Sequence, residues 1–279
     1  LLPSNVSGLP ATLWRASEAR TLTALIDAQD VVDFPAMQTL FYTLLLAEAE
    51  APRDAGRAAT LLLARIDALI ELGAVEQAQA LVERAGTNRP ELFSRWFDLT
   101  LLSGDEDKAC DAIAAKPNLA PNYSARIFCI VRNGDWATAA LTLDTARALG
   151  FVTKTEDNLL QRFLDTDLFE GEPPLPVPVR PNPLTVRMHE AIGESLSTGA
   201  MPRAFAVSDL RETAGWKAEL DAAERLAKTG ALAENRLLGI YTQRLPAASG
   251  GIWDRVEALQ RFDTAIVAGD PGAVTSALP

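Results

Sequence analysis

The nine-residue stretch NGDWATAAL, Asn133–Leu141, places a glycine and an acidic residue directly before an alanine-rich run. Similar stretches recur: LGAVEQAQAL at Leu72–Leu81, SGDEDKACDAI at Ser103–Ile113, TGALAENRLL at Thr229–Leu238 and AGDPGAVTSAL at Ala268–Leu278. Glycine tolerates the positive φ that ends a helix, and an acidic residue can cap the helix that follows. Each stretch therefore predicts a tight turn between two helices.

The glycines of these stretches are regularly spaced. Gly73, Gly104 and Gly134 are 31 and 30 residues apart, and Gly230 follows Gly134 after 96 residues, three steps of 32. A helical hairpin of this length cannot bury its apolar faces alone, so it stacks on its neighbours. We expect these glycines and Gly269 to be inter-helix turns in an all-α fold, a right-handed α-solenoid of stacked helical hairpins.

Alanine stands five residues after the first three glycines, at Ala78, Ala109 and Ala139. Such a small side chain lets two helices approach closely. Asn235 and Val274 occupy this position in the two later units, which fit the pattern less well.

The helix predicted between Gly56 and Gly73 is amphipathic. Leucine and isoleucine recur at helical spacing on one face. We assign Arg65, Asp67 and Glu71 to the opposite, solvent-facing side.

The stretch GEPPLPVPVRPNP at Gly171–Pro183 contains six of the 17 prolines and predicts an extended connector. We expect it to join an N-terminal helical-repeat half, residues 1–170, to a C-terminal half, residues 184–279. Its alternating Leu175, Val177 and Val179 predict packing along the solenoid. A proline-rich ligand for an aromatic groove is the alternative. Further helices are expected at 185–197, 216–228, 231–243 and 252–268.

The composition disfavours several classes of function. A net charge of −11, from 26 Lys and Arg against 37 Asp and Glu, is a poor match for nucleic acid or an anionic membrane surface. The longest apolar run, FYTLLLA at Phe41–Ala47, is far shorter than the roughly 20 residues of a membrane span and predicts part of a core helix. A chain that starts at Leu1 without methionine fits either a fragment or a mature protein after signal-peptide removal.

The two cysteines, Cys110 and Cys129, are too few for a disulfide framework and have no metal-ligand spacing. They fall on two helices that a turn near residues 116–119 makes neighbours. This spacing is compatible with a disulfide and equally with two buried free thiols. His189 is the only histidine, which disfavours a zinc site and histidine-based catalysis. We expect no metal and no cofactor.

Two groups of side chains are open to a functional and a structural interpretation. Tryptophans in the first turns of helices, Trp136, Trp216 and Trp253, could line a peptide groove, but packing between hairpins is favoured. The acidic run Asp105–Asp107 could attract a cation, but carboxylates also stabilise a helix N-terminus, where Asp105 and Asp135 can cap.

The repeats of residues 57–150 resemble tetratricopeptide-type and related bacterial helical-repeat families, which have units of this length with a small residue near the inter-helix turn. The aromatic and terminal proline positions of the full tetratricopeptide signature are not met consistently. The resemblance implies a divergent α-solenoid that binds other proteins.

The stretch GESLSTGA at Gly193–Ala200 resembles the Glu-Ser pair of bacterial soluble lytic transglycosylases, in which Glu194 would match the general acid. The run expected soon after this pair is replaced by MPRAFAV, and only 85 residues follow Glu194, too few for such a catalytic domain. We therefore expect Glu194 to be a solvated helix carboxylate.

Stretches such as RIFCIVRNGDW and AASGGIWDRV resemble secreted or envelope helical-repeat proteins of alphaproteobacteria, including periplasmic accessory proteins of the flagellar motor. This resemblance implies a non-enzymatic, periplasmic scaffold that binds proteins through the solenoid surface, without nucleic acid or membrane insertion. A cytosolic chaperone-like adaptor is the alternative.

Overall fold

The structure is a computed structural model that describes residues 1–56, 59–211 and 213–277. Across these ranges the chain forms helices and no β-strand, apart from one isolated bridge between Leu2 and Ala47. The expected all-α class is confirmed.

The described residues contain fifteen α-helices and three 3-10 helices. The α-helices are α1 (Ser4–Ser7), α2 (Ala19–Asp27), α3 (Pro35–Leu46), α4 (Thr60–Glu71), α5 (Val75–Ala85), α6 (Pro90–Ser103), α7 (Glu106–Ala115), α8 (Tyr123–Arg132), α9 (Trp136–Ala148), α10 (Lys154–Leu164), α11 (Pro183–Ala191), α12 (Trp216–Ala227), α13 (Glu234–Thr242), α14 (Ile252–Ala268) and α15 (Pro271–Ala277). The 3-10 helices are Pro117–Leu119, Asp167–Phe169 and Arg203–Leu210. Arg57, at the start of the tetratricopeptide-like region, and Leu278, at the end of the last glycine stretch, lie outside the described ranges.

Helix bounds in the C-terminal part follow the sequence pattern closely in α12 and α14 and less closely in α11 and α13. The helix α14 has the predicted bounds, α12 ends one residue early, and α13 begins at Glu234 rather than at residue 231. The helix expected at 185–197 begins at Pro183 and ends at Ala191. Proline suits the first helical position because its missing N–H has no partner there.

Helices adjacent in sequence are also adjacent in space. From α3 to α11 every helix contacts its successor, and the same holds from α12 to α15. Gly73, Gly104 and Gly134 lie between α4 and α5, α6 and α7, and α8 and α9, with φ of 83°, 89° and 84°. Gly230 and Gly269 lie between α12 and α13 and between α14 and α15, also with positive φ.

The alanines that follow the first three glycines lie at the helix contacts. Ala78, Ala109 and Ala139 are 0% exposed, as the need for close helix approach predicts.

The 3-10 helix Arg203–Leu210 runs past two of the glycine turns and contacts α4, α6 and α12. The Arg203 guanidinium donates to the carbonyl of Glu71, and its stem lies against Gly73. Arg211, just beyond this segment, lies against Gly104 in the same way. These turns therefore serve both as chain reversals and as packing sites for the C-terminal part.

The proline-rich connector does not separate two cores. The main core begins at Trp14 and continues past the connector to Phe205, while a second core extends from Ala206 to Val256. Within 171–182 the backbone is non-helical, and Leu175 packs against the main core.

The expected packing of Val177 and Val179 is wrong. Val177 is 74% exposed and Val179 is 96% exposed. Alternation indicates that side chains point to two sides of an extended chain, but it does not show that a neighbouring element covers either side.

The three tryptophans in the first turns of helices differ in their packing. Trp216 and Trp253 pack against each other with ring centroids 5.2 Å apart. Trp136 is 51% exposed, so the prediction that it packs between hairpins is wrong.

Asp135 caps α9 by accepting from the amide of Thr138 at 3.0 Å. Asp105 makes no such cap and pairs with the ammonium of Lys108.

Candidate functional site

The two cysteines meet in the structure. Cys110 on α7 and Cys129 on α8 form a disulfide with Cα atoms 4.8 Å apart, and both are buried. The intervening turn contains the 3-10 helix Pro117–Leu119. The bond fixes two successive helices of the repeat region to each other.

Glu194 is not a solvated helix carboxylate, so that expectation is wrong. It follows the end of α11, and its side chain is 20% exposed. One carboxylate oxygen accepts from the Arg162 guanidinium at 2.9 Å, and the other accepts from the amide of Leu175 at 2.8 Å. The two oxygens thus link Glu194 to α10 and to the connector.

The only histidine lies beside this carboxylate. His189 is buried, with Nδ1 3.9 Å from Glu194 Oε2. Burial lowers the pKa of His189, and the negative charge of Glu194 opposes that shift. A neutral, enclosed imidazole here belongs to the core.

The acidic run Asp105–Asp107 contains an unexpected buried charge. Glu106 is 2% exposed and forms an ion pair with Arg187 of α11. A second arginine, Arg132 of α8, pairs with Asp107 and lies 3.8 Å from Glu106. The run therefore anchors helices to one another, and the described ranges contain no cluster of potential metal ligands.

The ion pairs continue on the other side of Arg187. Arg187 also pairs with Glu190, which in turn accepts from Arg211 at 2.8 Å. Burial alone would raise the pKa of Glu190, but bonds to Arg211 and Arg187 lower it below its ordinary value. Charges that alternate in this way offset the cost of burial within a structural network.

A groove near the N-terminus is the strongest candidate for a binding site. It has a volume of about 290 Å³ and lies between α2 and α3. Its walls carry only one polar side chain other than the indole of Trp14, namely Gln29. The lining residues are Trp14, Leu22, Leu25, Ile26, Gln29, Val31, Met37, Leu40, Phe41, Leu44 and Leu45. This site is shaped for apolar side chains.

Large apolar side chains are exposed around this groove. Leu25 on α2 is 56% exposed, and Met37 and Leu40 on α3 are 48% and 47% exposed. Phe34, which precedes α3, is also exposed. Isolated exposed apolar residues are common on proteins, but several around one groove make it a candidate interaction surface.

The helix α3 has no charged residue on any face. Its polar residues, Gln38, Thr39, Tyr42 and Thr43, are uncharged, and Met37 and Leu40 leave apolar surface exposed. The run Phe41–Ala47 was expected to be part of a core helix, and Phe41, Leu45 and Ala47 are buried, whereas the exposed Leu40 precedes that run. The exposed side of α3 is therefore uncharged and partly apolar.

Two buried polar side chains hold α3 in place. Arg65 on α4 donates to the carbonyls of Leu45 and Ala47 at 2.7 and 2.9 Å, at the C-terminal end of α3. Gln38 on α3 donates to the carbonyls of Val32 and of Lys228. The assignment of Arg65 to a solvent-facing side is therefore wrong. Burial lowers its pKa to about 10, so it stays protonated at neutral pH.

Three aspartates, which we call the acidic mouth of the groove, lie beside its lining residues in the sequence: Asp27 ends α2, and Asp30 and Asp33 lie in the loop before α3. Asp27, Asp30 and Asp33 are exposed and form no ion pair within the described residues. The same loop contributes Gln29 and Val31 to the groove wall. These carboxylates therefore belong to residues that lie within two positions of Ile26, Gln29 or Val31 in the sequence.

A second groove, of about 610 Å³, lies between α14 and α15. Its lining includes the charged side chains of Glu257, Arg261 and Asp270. It is larger than the groove between α2 and α3, and its lining is more polar.

Comparisons of the chain with protein families, with curated proteins and with solved structures give no match. Among the described residues, no helix combines the length and the apolar character needed to span a bilayer.

Sequence patterns alone did not reveal the groove. The apolar run of α3 is equally compatible with a buried helix, because periodicity does not show which neighbours are present. The useful signal was the lack of charge along all twelve residues of α3, shortly after Asp27 at the end of α2 and Asp30 and Asp33 in the loop.

Proposed function

We propose that the protein is a non-enzymatic α-solenoid scaffold that binds another protein in the groove between α2 and α3. The observation that carries this proposal is the exposed, uncharged surface of α3. Consecutive helix contacts and glycine turns at regular spacing support the solenoid arrangement.

The proposed setting is a bacterial envelope assembly, such as the flagellar motor. The resemblance to alphaproteobacterial periplasmic helical-repeat proteins supports this setting. The Cys110–Cys129 disulfide supports it as well, because such bonds persist in oxidising compartments. A cytosolic adaptor would hold the same cysteines as thiols.

The test compares two leucines that are both exposed on helices. Leu40 lines the groove. Leu141 lies on α9, is 67% exposed and is not among the residues that line the groove. Proteins that co-purify with the wild-type chain from its native cells are compared with those bound by Leu40→Glu and Leu141→Glu. We expect a partner that is lost with Leu40→Glu and kept with Leu141→Glu.

Identical sets of partners for the two variants would contradict the groove as the binding site. Circular dichroism and thermal unfolding verify that both variants remain folded. Peptidoglycan turnover by the wild-type protein that disappears in Glu194→Gln would contradict the non-enzymatic assignment.

A further inference from the structure

We propose that the occupant of the groove between α2 and α3 is an amphipathic helix of a partner protein, with lysine or arginine beside its apolar stripe. This inference rests on the proposed function and specifies the partner's chemistry.

The groove walls favour a helical occupant. They are almost wholly apolar, so they offer few partners for the peptide groups of an extended segment. The described residues contain no β-strand whose edge could bind such a segment through its backbone. An α-helix satisfies its own peptide groups and presents apolar side chains at i, i+3, i+4 and i+7. A helix therefore enters without leaving buried peptide groups unpaired.

The mouth of the groove favours a basic occupant. Asp27 ends α2, and Asp30 and Asp33 lie in the loop that supplies part of the groove wall. Their carboxylates have no cationic partner in the ranges that the structure covers. Lysine or arginine beside the apolar stripe would pair with them and steer association.

Charge also disfavours a second copy of this chain. The protein has a net charge of −11, so two acidic mouths brought together would repel each other. Anionic lipid is disfavoured for the same reason.

A displayed library of amphipathic helices of about 18 residues, long enough to be partly helical in isolation, tests the proposal. Its flanking positions vary among basic, acidic and neutral residues. The library is selected on the wild-type protein and depleted on Leu40→Glu. We expect the surviving helices to be enriched in flanking lysine and arginine.

Selected helices are then measured by fluorescence anisotropy against two triple variants. Asp27→Asn, Asp30→Asn and Asp33→Asn together should weaken binding about tenfold, and raising salt from about 0.1 M to about 1 M should weaken binding to the wild type. The control combines Asp111→Asn, Asp167→Asn and Glu170→Gln, which removes the same charge from exposed residues outside the groove. It should change the affinity by less than about twofold.

The outcomes separate this inference from the proposed function. Helices that need Leu40 but have acidic or neutral flanks, or that bind the two triple variants equally, overturn the basic-helix inference and leave the groove as a binding site. If selection yields no helix whose binding depends on Leu40, both the basic-helix inference and the proposed function are overturned. A dimer in sedimentation that Leu40→Glu dissociates assigns the groove to a second copy and overturns the inference.

Discussion

Gly73 and Gly134 have almost the same backbone conformation but different surroundings. Both have positive φ, of 83° and 84°. A Cβ atom added at Gly73 would lie 2.6 Å from a methyl group of Leu226 and 3.1 Å from the stem of Arg203, whereas nothing lies within 4 Å at Gly134. Gly73 is therefore required for both its conformation and its small size.

We expect Gly134→Ala to lower the free energy of unfolding by about 1 kcal/mol, the cost of positive φ for alanine. Gly73→Ala should cost about 2–4 kcal/mol, because the methyl group also displaces Leu226. Urea unfolding of both variants measures the difference. Equal costs would show that Leu226 yields without penalty.

Asp98 on α6 is expected to make stability depend on pH. Burial raises its pKa from the ordinary 3.8 to about 6, although the charge of Arg95 opposes the shift. Between about pH 4 and pH 6 the folded chain therefore holds a proton that the unfolded chain has lost. This contribution to stability is present at low pH and is lost as the pH rises through that window.

Asp98→Asn removes the ionisation and should stabilise the protein at pH 7 by about 1–2 kcal/mol, since one pKa unit corresponds to about 1.4 kcal/mol and partial exposure reduces the effect. It should also flatten the pH dependence of stability between pH 4 and pH 6. Asp111→Asn, at an exposed position, is the control. A variant with the wild-type pH dependence would exclude Asp98 as its source.

At the scale of elements, α3 depends on one arginine of the next helix. Arg65→Met keeps an unbranched side chain but leaves the carbonyls of Leu45 and Ala47 without their donor. We expect a loss of about 2–4 kcal/mol and faster hydrogen exchange along α3. Arg126→Met is the control, because the Arg126 side chain makes no hydrogen bond within the described ranges. Unchanged exchange in α3 would show that packing alone holds this helix.

The disulfide stabilises a second pair of elements, α7 and α8. Its cysteines are 19 residues apart, and closing a loop of this size should contribute about 3 kcal/mol. Reduction should therefore lower the stability by that amount, and Cys110→Ala with Cys129→Ala should be insensitive to reductant. The compartment is tested by alkylating protein taken directly from its native cells under denaturing conditions. Two alkylated thiols without prior reduction would contradict the bond and the envelope proposal.

Across the whole molecule, the features that depend on neighbouring residues in the sequence were the easiest to predict. Helix ends, as in α14, and the burial of Ala78 follow from periodicity and side-chain size. Buried charges such as Glu106 were missed, because its partner Arg187 is 81 residues away and helical periodicity places a charged residue on the solvent side. The groove was missed for the related reason that an apolar helix does not reveal which neighbour it lacks.

The bond from Gln38 to the carbonyl of Lys228 has a consequence for the synthesis of the chain. These residues are 190 positions apart, so α3 gains this support only after the 190 residues that follow Gln38 have been synthesised. Until then the uncharged helix α3 lacks this bond in the growing polypeptide, and incompletely packed apolar surface of this kind is prone to aggregate. The surface proposed to recruit a partner in the finished protein is thus the one that most needs shielding while the protein is made.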